Sequence, residues 1–541
     1  MEARGVPVDV VFADASSSGG SLNVDIDDKG SSSVGNSDSR DNGTAAEVET
    51  KKRPRERLWA TALAALVAAV PALLVGYTIG FPSSALLDLT GDLAAGIPSD
   101  YVFSSTLADV FAALAPVGGV FGGLIAGPIA DRWGRKNALV LCGIPYFVGY
   151  LVLSYAHYLP TAESFKTIVL LGRFLTGVGM GWACMSASVY IAEISSAKFR
   201  GFFGSFVQIG LVAGILVNYV IGSIPHFPYY RNSLVAAGIA AGFEVFMVML
   251  YETPRWLVSW GRTTDARHSL RWLRGPSVDI EQEFQAAMAV QHVSTSLRET
   301  VREFRKRSVA VPLVLMIFVM FFQQAGGLNA LASFAASLFQ QAGVANPRIT
   351  TAYAVGGVEL ATSLVVVFVI DLVGRKFLLI LSGVGMTIGT LLLGVHFYLT
   401  RPSLCASEHF FNSTLSSELS EDFGANVCNA QYGPLAIVSI MTFGVGFSIG
   451  WGPVPWILVS ELTPLRVRGA ASGIATLVNW GTAAVVVGFY SSYAEAVTTW
   501  FAWWSFTAIN IAAVVFAALF LRETKGKSLE EIESHYQRNV L

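Results

Sequence analysis

Charge is what this chain has least of: 14% of its 541 residues are Asp, Glu, Lys or Arg, against about a quarter in a soluble globular protein. With 53% hydrophobic residues and a mean hydropathy of +0.55, too little polar surface remains to keep it dissolved, which excludes a water-soluble enzyme. Cysteine is scarce as well, at four, too few for a disulfide-built scaffold. Histidine numbers seven; no cluster has metal-ligand spacing, no nucleotide-binding loop follows a strand, and no paired carboxylates stand in a soluble domain. These absences point to a chain that is not an enzyme and needs no cofactor and no metal. A net charge of −2 supplies no field for nucleic acid. What is abundant is Gly (52), Phe (35) and Trp (12), as in membrane helices, where aromatics anchor at the interfaces and glycine admits close packing.

A membrane-spanning helix needs about 20 apolar residues. Twelve such stretches begin near 58, 104, 137, 167, 202, 233, 309, 349, 377, 432, 467 and 497. The expected fold is all-α and integral to the bilayer, with two six-helix bundles at 58–251 and 309–521. Between them, 252–308 reads as a segment of short amphipathic helices rich in Arg and Glu; 522–541 is a short tail. Residues 1–57 are rich in Ser, Gly and Asp and are expected to be disordered. No apolar run with a cleavage site follows Met1, so span 1 is expected to act as its own signal anchor. The cluster Lys51-Lys52-Arg53-Pro54-Arg55-Glu56-Arg57 before span 1 assigns that end to the cytosol. Arg132, Arg135, Lys136, Lys198, Arg200, Arg375, Lys376, Arg466 and Arg468 fall in loops of the same side, whereas the opposite loops 82–103 and 400–430 hold only Arg401. Both termini are thus expected in the cytosol. The longest opposite loop carries Asn412-Ser413-Thr414, a glycosylation acceptor pattern, and Cys405 and Cys428, which a disulfide could join in an oxidising compartment. Cys142 and Cys184 fall inside spans, as packing residues.

The two halves echo each other. Asp131-Arg132-Trp133-Gly134-Arg135-Lys136 after span 2 is matched by Asp371-Leu372-Val373-Gly374-Arg375-Lys376 after span 8. Glu193 and Arg200-Gly201 after span 4 are matched by Glu461 and Arg468-Gly469 after span 10, and Glu252-Thr253 by Glu523-Thr524. Duplicated halves of this kind build a site at their interface that can face either side. Positive-inside topology explains the bases but not the acids held beside them. The expectation is that Asp131, Arg135, Glu193, Arg200, Asp371, Arg375, Glu461 and Arg468 pair between the bundles and close the cytosolic side in one state.

At these residues the chain resembles the sugar porter family of the major facilitator superfamily. The ordered set that carries the resemblance is GPIADRWGRK (127–136), GRF (172–174), YIAEISSAKFRG (190–201), ETPRWL (252–257), QQAGGLNA (323–330), DLVGRK (371–376), GWGPVPW (450–456), ELTPLRVRG (461–469) and ETKG (523–526). It implies an alternating-access carrier of a monosaccharide or polyol, acting as a monomer. The family's sugar contacts fall on Gln208, Gln323, Gln324, Asn329, Trp456 and Asn479. The chemistry agrees: amides donate and accept, as hydroxyls do, and bind them without burying a charge. Gln323 and Asn329 are six apart and would not share a helix face, but Gly326-Gly327 permits a break, tolerated where a helix lines a cavity. Trp456 can lay its ring on a sugar's C–H face, and Pro453 and Pro455 unwind the helix before it.

The chain departs from the family pattern in four places. Gly76-Tyr77-Thr78 stands where proton-coupled members tend to carry an Asp, and a threonine favours facilitated diffusion. Glu359 replaces a neutral residue midway along span 8; an acid at that depth is costly and faces the bundle interior or a wet cavity, so it is a candidate substrate contact, or a proton carrier in a symporter. Asp109 and Glu244 are weaker cases, read as interhelical partners. An aromatic pair after the span 7 Asn is replaced by Ala330-Leu331-Ala332-Ser333-Phe334, a smaller outer gate. Ser188 and Arg522 stand where signature prolines usually do and are expected to alter helix ends only. A non-transporting sensor would need longer tails, and with no retrieval signal at Arg538–Leu541 the plasma membrane is the expected site.

Overall fold

In the computed structural model, all described regular structure is helical. The described residues are 57–91, 98–196, 199–276, 278–289, 302–401, 417–463 and 467–525, with side chains outside the description at Arg200, Asp371, Ser460, Arg468 and 417–430. Twelve helical spans are long and apolar enough to cross a membrane: Leu58–Leu89, Ser105–Trp133, Arg135–Tyr158, Ala162–Ile194, Gly201–Gly222 and Tyr229–Val248 in the first half, and Arg307–Gln341, Pro347–Ile370, Arg375–Leu399, Gln431–Val459, Gly469–Gly488 and Thr499–Leu519 in the second. Their starts lie within a few residues of those expected, because an uninterrupted apolar run leaves the backbone no satisfied alternative to helix in lipid.

Three spans are broken where the sequence supplies a cause. Span 7 is two helices, Arg307–Ala325 and Leu328–Gln341, parted by Gly326 and by Gly327 at φ +98, a left-handed conformation costly for any residue with a Cβ. Span 10 stops at Ile449 and restarts at Val454–Leu462 with a proline in its first turn, where a missing N–H costs nothing. Span 8 contains a π-helical stretch, Ala352–Gly357, directly before Glu359; such bulges shift the face that later residues present.

Small residues set the packing. Spans 1 and 5 approach so closely that a Cβ at Gly214 would stand 1.8 Å from the Leu73 carbonyl oxygen. Spans 2 and 4 meet in the same way, a Cβ at Gly181 falling 1.9 Å from the Gly119 oxygen. Between the halves three short helices, Pro254–Ser259, Thr263–Arg274 and Glu281–Ala289, share a small core of Trp256, Leu257, Leu270 and Phe284. Arg274 fastens them to the first half: it pairs with Glu283 (2.6 Å), donates to the Ile194 carbonyl (3.0 Å), and its own carbonyl accepts the Arg57 N–H (2.9 Å). The bundle end that carries this segment, the start of span 1 and the close of span 12 is called the terminal end below.

Forcing a Cβ into a filled contact costs ~1–3 kcal/mol, so Gly214→Ala should lose most of its monodisperse peak in detergent chromatography. Gly204→Ala, where nothing lies within 4 Å of the added atom, should keep it.

Candidate functional site

The broken part of span 7 faces spans 10 and 11, and there four amides form one directional chain. Asn329 Nδ2 donates to Gln324 Oε1, Gln324 Nε2 to Asn479 Oδ1 (2.8 Å), and Asn479 Nδ2 to Gln323 Oε1 (2.6 Å). Gln323 Nε2 ends the chain on the carbonyls of Trp451 (2.8 Å) and Gly452 (3.1 Å), which the break in span 10 frees. All four side chains are buried. The Gly326-Gly327 turn is what brings Gln323, Gln324 and Asn329 to one place, and Asn510 holds it by donating to the Gly326 carbonyl (3.2 Å).

Gln208 of span 5 meets this chain from the other half. A Cβ at Gly452 would stand 3.0 Å from Gln208 Nε2, and that nitrogen has no hydrogen-bond partner. Gln208, Ser205, Ser363, Ser448 and Pro453 line a cavity of about 10 Å³ at the seam of spans 5, 8 and 10, room for roughly one water. The hydroxyls of Ser363 and Ser448 are also buried without partners. Glu359, 2% exposed, lies one turn before Ser363 on the same helix face, against Gly444 of span 10, with Oε1 unpartnered. Trp456 flanks the amides: half-buried, it packs on Met316, Met320, Val459 and Ala471 between spans 7, 10 and 11, and the Met320 sulfur meets Asn479 Nδ2 (3.5 Å). Thr78 is satisfied within the first half by the Leu74 carbonyl and the Tyr150 hydroxyl, both at 2.8 Å.

At the opposite end the two halves are locked, first of all by an ion pair that the sequence reading did not single out. Arg348, at the start of span 8, pairs with Asp88, at the close of span 1 (2.6 Å), and donates to the Gly222 carbonyl (3.2 Å). Asp88 also accepts the Tyr229 N–H (2.9 Å). Asp109 of span 2 accepts the N–H groups of Ser491 (3.3 Å) and Ser492 (3.1 Å), just past span 11, as befits an interhelical partner. Ser83 accepts the Ala336 N–H (3.1 Å), Tyr219 donates to the Ala332 carbonyl (2.8 Å), and Phe334 packs on Tyr490 with centroids 5.1 Å apart. The small residues of 330–333 let span 7 approach close enough for these backbone bonds. Glu244 rests against Gly143 of span 3, with Oε1 buried and unpartnered.

At the terminal end the charge pairs found among the described side chains fall within each half. Arg135 pairs with Asp131 (3.2 Å) and Glu193 (3.1 Å), all in the first half, and Arg375 with Glu461 (3.1 Å), both in the second. The reason lies in the repeat itself. Gly134 (φ +103) and Gly374 (φ +108) turn the chain sharply, so the next helix presents its first N–H groups to a carboxylate of the same half. Glu252 accepts from Arg135 N (3.0 Å) and Lys136 N (3.1 Å); Glu523 accepts from Arg375 N (2.9 Å) and Lys376 N (3.1 Å). Thr253 and Thr524 then donate to Glu193 and Glu461, both at 2.6 Å. The copies differ electrostatically: burial outweighs the N–H bonds at Glu252 and raises its pKa. At the shallower Glu523 the burial penalty is overcome by N–H bonds from Lys525, Arg375, Lys376 and Thr524, and the pKa falls below the ordinary value. The side chains of Arg200, Asp371 and Arg468 lie outside the described residues, as do Cys405, Asn412 and the thiol of Cys428.

Comparison with known proteins fits this geometry. Residues 64–536 match the family model described as Sugar (and other) transporter. The chain is 33% identical over 476 residues to the cattle protein "Solute carrier family 2, facilitated glucose transporter member 8", covering 88% of this chain and 94% of that one. It is 30% identical over 478 residues to "Facilitated trehalose transporter Tret1" of Drosophila willistoni, covering 88% of this chain and 51% of the relative; it thus spans about half the length of that relative and of its Drosophila virilis counterpart, of which it covers 48%. Among solved structures it superposes on a partially occluded inward-open conformation of the E. coli xylose transporter XylE with a TM-score of 0.68 at 24% identity, covering 87% of this chain and 100% of that one. XylE bound to 6-bromo-6-deoxy-D-glucose gives the same score and identity over 88% and 99%. These solved structures share the fold.

Removing one partner of a largely buried ion pair costs ~3–5 kcal/mol. Arg348→Gln and Asp88→Asn should therefore each speed labelling, by an impermeant thiol reagent, of a cysteine placed at the buried Ser333 in a background without native cysteines. Unchanged labelling in both would mean that the pair does not hold this end shut.

Proposed function

The chain belongs to the sugar (and other) transporter family, and from that premise we propose that it carries a monosaccharide or related polyol across a membrane by alternating access, down its gradient. The observation that carries the reading is the amide chain of Gln323, Gln324, Asn329 and Asn479, beside the unpartnered Gln208 at the seam of the halves. The amides satisfy one another. A sugar hydroxyl, donor and acceptor at once, can be inserted into such a chain without leaving an orphan. Trp456 supplies the apolar face next to it. Asp88–Arg348 and Asp109 with Ser491 and Ser492 act as the outer gate. The charge clusters around Arg135 and Arg375 brace each half as a rigid body, and the inner gate works through them. Glucose in the name of the cattle relative supports a monosaccharide, trehalose in that of the Drosophila relative supports a sugar more broadly, and the word facilitated supports downhill movement.

The positive-inside rule supports a cytosolic terminal end and an external Asn412 loop, a reading in which Asn412 is a candidate glycan acceptor and Cys405 and Cys428 a candidate disulfide pair. A monomer in the plasma membrane is the simplest working unit.

Glu359 supports a second reading, a proton-coupled symporter. A buried carboxylate with an unpartnered oxygen needs something to neutralise it, and a proton from one side would do so.

Purified protein in liposomes should take up labelled glucose or myo-inositol saturably, indifferent to an imposed proton gradient; accumulation above equilibrium that Glu359→Gln abolishes would establish the symporter instead. Gln323→Ala should weaken substrate affinity a few-fold to about tenfold, the net worth of ~0.5–1.5 kcal/mol for one neutral hydrogen bond, with surface expression near normal.

A further inference from the structure

We infer that the seam beside the amide chain is built to receive an ammonium group, so that among hexoses the carrier favours amino sugars such as glucosamine. The inference rests on the sugar-transport reading and names the substrate within it.

The argument starts from what lacks a partner. Buried polar atoms are almost always hydrogen-bonded, and each exception asks for an explanation. Here Glu359 Oε1, Ser363 Oγ, Ser448 Oγ and Gln208 Nε2 are all buried and unpartnered. The serines and Gln208 line one cavity. Glu359 sits one helical turn from Ser363, and Gly444, which it touches, one turn from Ser448, so the four groups form a column along one seam. It adjoins the amide chain at Gly452, which accepts from Gln323 and abuts Gln208; Tyr219, which lies near Glu359, ties the same seam to span 7 by donating to the Ala332 carbonyl.

Neutral sugars can meet Ser363, Ser448 and Gln208 with hydroxyls, but a hydroxyl leaves the charge of Glu359 uncompensated. Removing one carboxylate from water is expensive, and the protein returns that cost only through a cation or a proton. No described Lys, Arg or His lies within ion-pair distance of Glu359. Arg173, a buried cation of the first half, is held over the rings of Phe81 and Phe111 instead. From span 5 the titratable group facing Glu359 is the Tyr219 phenol, and span 10 presents Gly444 and Ser448. A cargo that carries its own cation answers the same need as a proton would. The ammonium of an amino sugar donates to Glu359, to Ser363 and to Ser448, while the ring hydroxyls enter the amide chain, so one ligand settles both regions at once.

The test uses the full-length protein in liposomes with the membrane potential clamped near zero, and reads competition against labelled glucose. Glucosamine should compete at least about tenfold better than glucose or N-acetylglucosamine, which keeps the nitrogen and loses its charge; a tenfold change is 1.4 kcal/mol. The advantage should shrink as pH rises through the pKa of the amine, and should vanish in Glu359→Gln. Glucosamine competing no better than N-acetylglucosamine, or an advantage that survives Glu359→Gln, would overturn the inference while leaving saturable glucose uptake, and the sugar-transport reading, standing. If Glu359→Gln does not fold, the comparison of the three sugars on the native protein decides. No saturable uptake of any sugar would sink both.

Discussion

A lipid bilayer offers no hydrogen bonds, and much of this structure follows from that. Every polar group below the surface must be satisfied by the chain, by water admitted between helices, or by cargo. The chain meets the demand differently in each region. In the first half, Thr78, Tyr150, Tyr77 and Asn232 close on one another or on backbone carbonyls. In the second, four amides form a chain that ends on carbonyls freed by a broken helix. Outside these networks the demand is left partly unmet, at Asn218 and Glu244 within the first half and along the seam between the halves. The seam is where a transporter needs it unmet, because a site complete without its cargo gains nothing by binding it.

The duplicated charge clusters obey the same rule at the membrane edge. Each is a helix start whose exposed N–H groups are capped by a carboxylate of its own half, with an arginine binding the neighbouring helix ends together. Such clusters make each half move as one piece, so a change at the seam is transmitted to both ends. The different burial of Glu252 and Glu523, which raises one pKa and lowers the other, shows that duplication kept the geometry and let the electrostatics drift. The intervening helices, fastened through Arg274, side with the first half.

The number of spans and their limits could be read from the sequence, because in lipid the apolar run and the helix are the same thing. So could the breaks: Gly326-Gly327 and Pro453 with Pro455 are local causes with local effects. The amide set was legible through its motif, and its closure into one chain follows from the break. The direction of the charge pairs was not legible, because the repeat fixes which residues exist but not whether the nearest opposite charge lies across the seam or within the half; the sharp turns at Gly134 and Gly374 decide it. Asp88 and Arg348 escaped notice because they lie 260 positions apart at unremarkable helix ends, and only the packing of the halves brings them together. Ser363 and Ser448 carried no signal either, since a serine in an apolar span is ordinary until its partners prove to be missing.

The central claim is that two rigid halves, closed at one end around a polar seam, exchange which end is closed when cargo binds. The most direct measurement is of spin-label distances across the seam at both ends in lipid: one pair at the exposed positions Ser99 and Asn346, the other at Trp133 and Leu372 near the terminal end. The account predicts that a transported sugar redistributes the two distances in opposite senses, one pair shifting toward short separations as the other shifts toward long. Two distances that stay fixed, or that lengthen and shorten together, would contradict it.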